Sequence, residues 1–174
     1  MPDFVAPQLA TLSDKPPEGE QWFHELKFDG YRMLCHVSPG QVRFWSRNRK
    51  DWTHKFPNLG RAVKSFPAKT AILDGEVVAL DAKGRASFQK LQQAMKGGDA
   101  GFLFNIFDLI YLDGFNLTRT PLTERKALLA QLFESVSDPE AKAKLRRELD
   151  AILVPLSVLS GAGSKKPGRD IGRN

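Results

Sequence analysis

The sequence predicts an α+β domain built on an antiparallel sheet. Short apolar runs are separated by tight-turn signals, Asp29-Gly30 and Ser38-Pro39-Gly40, which favour hairpin-like neighbours over crossover connections. Between and after these runs lie segments with apolar residues at helical spacing. An eleven-residue run, Phe102–Leu112, is apolar enough to be a long buried strand.

Met1 to Glu20 is rich in proline and short polar residues and reads as an extended lead-in over residues 1–20. Trp22–Phe28 and Tyr31–Val37 read as strands, followed by Val42–Ser46, in which Val42, Phe44 and Ser46 share a face. Phe56, Leu59, Val63 and Phe66 predict an amphipathic helix ending at Pro67. Thr70–Leu80 is a β-branched, apolar strand around Asp74-Gly75-Glu76, closed by the turn Asp81-Ala82-Lys83-Gly84. Phe88, Leu91 and Met95 mark a short helix with Ser87 as its cap. After Phe102–Leu112, Asp113-Gly114 closes the strand, and Pro121 suits the first position of a helix whose stripe is Leu128, Leu129, Leu132 and Phe133. Asp138-Pro139 opens a second, charged helix through about Leu149, with Lys142–Glu148 as a solvated face. Ile152–Leu159 reads as one more strand, and Ser160–Asn174 has almost nothing apolar to bury. The expected division is a lead-in over 1–20, a folded core over 21–159 and a disordered tail over 160–174.

The chain has 174 residues, enough for one substantial domain. Its single cysteine, Cys35, excludes an internal disulfide framework and suits a buried strand position in a reducing compartment. His24, His36 and His54 show no metal-ligand spacing with it, which argues against zinc. No apolar run approaches a membrane span and no signal-peptide pattern opens the chain, so the expected location is cytoplasmic. The net charge of +6 suits a polyanionic partner.

Chemistry concentrates in Glu25-Leu26-Lys27-Phe28-Asp29-Gly30-Tyr31-Arg32. A lysine at the end of a strand beside a glycine turn needs its ammonium solvated or paired. Alternation would put Glu25, Lys27 and Asp29 on one side of that strand, with Trp22 available to the other. An exposed, ion-paired strand face is the plain alternative. Lys-x-Asp-Gly-x-Arg should occur by chance in about a few in a thousand chains of this length. Lys27-Phe28-Asp29-Gly30-Tyr31-Arg32 resembles motif I of the covalent nucleotidyltransferases: DNA ligases, RNA ligases and capping enzymes. Ser46-Arg47-Asn48, Leu73-Asp74-Gly75-Glu76 and Phe107-Asp108-Leu109-Ile110-Tyr111-Leu112-Asp113-Gly114 resemble further motifs of that superfamily, in the same order. Pro7-Gln8-Leu9-Ala10-Thr11-Leu12, Lys15-Pro16-Pro17, Trp22-Phe23-His24-Glu25, Asp51-Trp52-Thr53 and Ser87-Phe88-Gln89-Lys90-Leu91-Gln92 narrow the resemblance to the adenylation domain of bacterial ligase D-type, ATP-dependent DNA ligases.

That resemblance implies an antiparallel-sheet, ATP-grasp-like nucleotidyltransferase core, and a role for each matched residue. Lys27 becomes the nucleophile that attacks the α-phosphate of ATP and forms lysyl-AMP. Glu25 and the Leu26 backbone read the adenine edge, and Phe107 stacks on adenine. Glu76 accepts from the ribose hydroxyls. Arg32 and Arg47 contact the ribose and phosphate region or DNA phosphates. Asp29 stands near a divalent cation, Mg²⁺ or Mn²⁺. Several plain readings stay open beside these roles: Phe107 as core filling with Phe102 and Phe104, Asp29 as a turn residue, and solvated arginines. At neutral pH Lys27 must lose its proton to attack; cations such as Arg32 favour that loss and carboxylates oppose it.

The resemblance also implies later strands carrying a metal-binding glutamate and two phosphate-gripping lysines, then an OB-fold domain. None is recognisable in the sequence, and Lys165-Lys166 lacks an apolar strand context. The core thus reads as truncated at its C-terminus, whether as a shortened copy, a fragment, or a chain completed by another. The implied partners are double-stranded DNA with nicks or ends and, through end joining, the Ku protein. An RNA ligase or capping-type enzyme and a catalytically silent nucleotide- or DNA-binding remnant are the alternatives.

Overall fold

In the computed structural model, residues 1–9, 11–19, 22, 25, 27–97 and 101–146 are described. Five antiparallel strands form one sheet in the order β2-β1-β3-β4-β5: β1 Tyr31–Ser38, β2 Gln41–Ser46, β3 Ala71–Ala79, β4 Phe102–Leu112 and β5 Phe115–Asn116. Four helices accompany it: α1 Pro57–Val63, α2 Phe88–Gly97, α3 Leu122–Glu134 and α4 Pro139–Arg146. Side chains alternate across a strand, so each strand serves two faces. One face carries Met33, Cys35, Phe44, Leu73, Phe104 and Ile106, packed with Leu59, Leu91, Leu129, Phe133 and Leu145 from the helices. Cys35 is wholly enclosed there, and burial pushes its thiol well above its ordinary pKa.

The opposite face has a small apolar cluster, Leu34, Ile72 and Tyr111, covered by Phe4 and Val5 of the N-terminal segment. That segment contains no helix or strand among its described residues, yet it crosses the sheet and walls the cleft described below.

Local signals explain the helix starts. Ser87 Oγ accepts the Lys90 N–H at 3.4 Å, capping α2. Asp138 Oδ1 accepts the N–H groups of Glu140 and Ala141 at 2.9 and 3.3 Å, capping α4 with Pro139 at its first position. Pro121 stands one residue before α3 rather than inside it. The expected helix over 56–66 is shorter, preceded by a 3-10 turn at Thr53–Lys55.

Of the expected strand Trp22–Phe28, the described residues Trp22, Glu25, Lys27 and Phe28 lie outside any strand, and Trp22 is 51% exposed. β1 is already paired on one edge by β2 and on the other by β3, so the preceding segment finds no free ladder beside it. Ile152–Leu159, the 160–174 tail and the end of the helix expected to reach Leu149 lie outside the described residues.

The β3–β4 ladder contains two register shifts. Asp74 pairs with Asp108 and Gly75 with Ile106, so Phe107 is the extra residue. Strict alternation from Phe104 and Ile106 would turn Asp108 into the helical core; the shift places it with Phe107 on the opposite face. Gly75 stands at this point because the strands approach closely: a Cβ would collide with the Asn105 carbonyl oxygen and lie 2.6 Å from Phe104 Cε2. Gly75→Ala should therefore destabilise the domain by about 2 kcal/mol or more. Gly60→Ala, in α1 with open space around the new methyl, should stabilise it by about 0.5 kcal/mol. Urea unfolding followed by circular dichroism measures both.

Candidate active site

The sheet face opposite the main core holds a cleft of about 780 Å³, lined in part by Leu122 and Arg125 of α3. Arg32, Asp74 and Glu76 project into it from adjacent strands, since Arg32 pairs with Glu76 in the β1–β3 register. Phe107 lines one side and Gln8 of the N-terminal segment another. Glu25 and Lys27 lie at its margin on the segment entering β1.

Arg32 is the most heavily engaged side chain. Its Nε and Nη2 donate to the two oxygens of Asp74 at 3.0 and 2.8 Å, a bidentate pair, and Nη1 donates to the Gln8 carbonyl at 2.8 Å. The guanidinium also lies over the Phe107 ring, 5.1 Å from its centroid. The Asp74 side chain is only 3% exposed. Burial pushes its carboxyl above the ordinary value while Arg32 pulls against that rise; in return the Asp74 hydrogen bonds hold Arg32 further in its charged form.

Lys27 differs. Its side chain is 85% exposed, and Nζ donates to Asp29 Oδ1 at 2.6 Å. The Asp29 hydrogen bond raises the lysine above its ordinary pKa of 10.5, so in the free protein the carboxylate prevails over the desolvation that would lower it. A second, smaller cleft touches Lys27, Asp29, Gly30, Glu76 and Phe88, which puts the ammonium on the ridge between two depressions.

Glu76 accepts the Gly30 N–H at 3.1 Å. A Cβ on Gly30 would collide with the Val77 carbonyl and sit 2.9 Å from Glu76 Cγ, so only glycine brings this turn so near β3. Half-burial pushes the Glu76 carboxyl up to about 7, against the Gly30 hydrogen bond, Arg32 and Lys27, which lower it.

Of the residues singled out by sequence, Glu25, Lys27, Arg32, Glu76 and Phe107 meet at one cleft, and Asp29 adjoins it. Arg47 does not join them: it is exposed on the turn after β2 and does not line the cleft. That turn folds back tightly, with the Arg49 N–H on the Ser46 carbonyl at 2.8 Å. Leu26 lies outside the described residues. Phe107 parts company with Phe102 and Phe104, which are in the core. Sequence reasoning assigned no role to Asp74, Asp108, Arg125 or Lys126. Arg125 grips Asp108 with two bonds of 2.8 Å, and Lys126 donates to the Phe107 carbonyl at 2.9 Å. An adjacent arginine–lysine pair early in α3, facing the cleft strand, was the available signal.

The aromatic ring, convergent cations and half-buried carboxylate suit a nucleotide, and the cleft volume is in the range of small-ligand sites. Among the described residues no group of three or more His, Cys, Asp or Glu could by itself enclose a metal ion. One or two carboxylates such as Asp29 and Glu76 fit instead a Mg²⁺ held largely by a ligand's phosphates.

Glu76 gives this site a pH signature. Its folded pKa is above its ordinary 4.5, so its stabilising contribution is complete below about 4.5 and is lost as pH rises through about 7. Glu76→Gln can still accept from Gly30 and should remove that loss. Without ligand it should be more stable than the parent at pH 8, on the order of 1 kcal/mol after discounting solvent screening, and no more stable at pH 4. Thermal unfolding across that range is the measurement.

Comparison with known proteins agrees with this geometry. Residues 7–150 match the family model described as ATP dependent DNA ligase domain. A multifunctional non-homologous end joining protein LigD of Pseudomonas aeruginosa is 44% identical over 135 residues, covering 77% of this chain and 16% of that protein. The SPbeta prophage-derived DNA ligase-like protein LigB of Bacillus subtilis is 34% identical over 131 residues, 74% of this chain and 47% of that protein. Among solved structures, a mycobacterial DNA ligase D complexed with ATP and MES superposes with a TM-score of 0.59 at 37% identity, covering 66% of this chain and 37% of that one. The chain thus spans less than half the length of each of these relatives. Among the described residues no helix is long and apolar enough to cross a membrane. With motif, cleft and family model in agreement, the chain belongs to the ATP-dependent DNA ligase domain family.

Proposed function

We propose that this chain is the adenylation module of a bacterial, cytoplasmic ATP-dependent DNA ligase, with Lys27 as the residue that receives AMP. The observation that carries the reading is the convergence of Lys27, Arg32, Glu76 and Phe107 on one cleft. In this reading Phe107 offers its ring to adenine and Glu25 an acceptor to the adenine edge. Glu76 accepts from the ribose hydroxyls, and Arg32, pinned by Asp74, keeps a fixed positive charge beside them. Release of the Asp29 hydrogen bond and loss of one proton free the Lys27 Nζ lone pair. Nζ then bonds to the α-phosphorus of ATP and releases a second proton, which like the first passes to solvent, while the bond from that phosphorus to the bridging oxygen breaks and pyrophosphate leaves with that electron pair. A divalent cation, Mg²⁺ or Mn²⁺, would supply charge neutralisation on the phosphates when bound, with Asp29 as the carboxylate that would hold it. AMP is then passed to the 5′-phosphate of nicked or broken double-stranded DNA, in repair by end joining beside Ku. Arg47, exposed beyond the cleft, suits a DNA phosphate better than the nucleotide.

Incubation with ATP and Mg²⁺ followed by intact mass should add one AMP to the chain, and Lys27→Ala should abolish the addition. Absence of the adduct in folded parent protein would instead identify a nucleotide- or DNA-binding remnant without covalent chemistry. Asp29→Asn removes the main influence holding the ammonium protonated, so the pH profile of adenylation should move to lower pH whatever its height. A profile unchanged in position would mean that Asp29 does not control the lysine.

A further inference from the structure

The segment carrying Lys27 has no β-ladder of its own among the described residues, so something else must hold it beside the cleft. On its C-terminal side the tether is the Gly30 N–H bonded to Glu76. On its N-terminal side Glu25 accepts an ion-paired hydrogen bond from Lys126 Nζ, a residue 101 positions away on α3. The same Nζ donates to the Phe107 carbonyl at 2.9 Å. Lys126 is well enclosed, its side chain 11% exposed against 37% for Glu25. The helix bearing it is clamped to the same strand by Arg125, which grips Asp108 through two bonds of 2.8 Å.

We propose that Lys126 is a positioning residue for the nucleotide site: one ammonium ties the segment leading to Lys27 to the strand that presents Phe107, setting the width of the cleft between them. The inference rests on the adenylation reading for its consequence in catalysis, though the tether itself does not. A lysine suits the task because its three donors leave one tetrahedral centre, and two of them are spent here on groups from distant parts of the chain. Removing the ammonium leaves the Phe107 carbonyl and the Glu25 carboxylate without this partner, and frees the segment two residues before the nucleophile. Arg125 cannot replace it, since its guanidinium is committed to Asp108 and the Thr120 carbonyl.

The test uses the full chain in two readouts. Hydrogen exchange of Lys126→Met should show the Gly30 amide, which donates to Glu76, exchanging about tenfold faster or more, the size expected for losing one charge-assisted bond, with the central strands unchanged. ATP binding by calorimetry should weaken by a similar, roughly tenfold factor. Lys126→Arg, which keeps donors to both partners, should restore both readouts to within about threefold of the parent. Combining Lys126→Met with Glu25→Gln should loosen Gly30 no further than Lys126→Met alone. Unchanged exchange at Gly30 in Lys126→Met, or faster exchange throughout the sheet, would overturn the proposal, the second by showing a merely structural role. If the exchange result holds while the parent binds no ATP, the tether stands and it is the adenylation reading that fails.

Discussion

Asp74 sits on the middle strand of the sheet with its carboxylate almost sealed from solvent. Such a charge is tolerable only with a partner, and Arg32 on the neighbouring strand supplies two parallel hydrogen bonds. Once that pair forms, much of the cleft is determined. The guanidinium cannot swing away without stranding a buried carboxylate, so its remaining nitrogen is aimed at Gln8 and its charge lies over the Phe107 ring. The N-terminal segment, the floor of the cleft and its aromatic wall are thereby tied to one ion pair.

The sheet makes room for this polar face by departing from regular pairing. A strand that alternates strictly would bury one of two consecutive residues in the core, and Phe107-Asp108 would be split. The register shift at Gly75 keeps both on the cleft side, where Asp108 can meet Arg125 and anchor α3. Glycine is required at that point by contact with the neighbouring strand, not by an unusual backbone angle. Gly30 plays a similar part at the edge of the site, where close approach lets its N–H reach Glu76. Gly30, a turn marker in sequence, and Gly75, inside a strand run, are thus places where backbone meets backbone or side chain.

The electrostatics divide the cleft into a rigid and an adjustable part. Arg32 and Asp74 are locked together in the interior. Lys27 is solvent-exposed and held by a single neighbouring carboxylate, which favours its unreactive ammonium form. Glu76 stands between them, with a pKa near 7 set by partial burial. A lysine that is exposed and weakly held, beside a scaffold that is buried and strongly held, can change protonation and rotamer when a ligand arrives without disturbing the fold.

Much of this was legible in the sequence because it depends on near neighbours. Strand runs at 31–37, 42–46, 70–80 and 102–112 follow from apolar patterning, and Ser87 and Asp138 cap helices as their side-chain oxygens require. The lysine motif and its companions pointed to residues that meet at one cleft. Other features have no local signature. Trp22–Phe28 has strand-like composition, but both edges of β1 are already paired, so its described residues stay outside the sheet. Arg47 sits in a motif-like triplet yet is carried away from the cleft by a tight turn. Asp108 faces the cleft only because of a register shift against another strand. Lys126 and Glu25 are brought together by packing of α3 on β4. Patterning and motif order therefore determined the fold class and the family. Tertiary structure alone decided which charges pair and what holds the segment of Lys27, because pairing energies between distant residues leave no periodic trace along the chain.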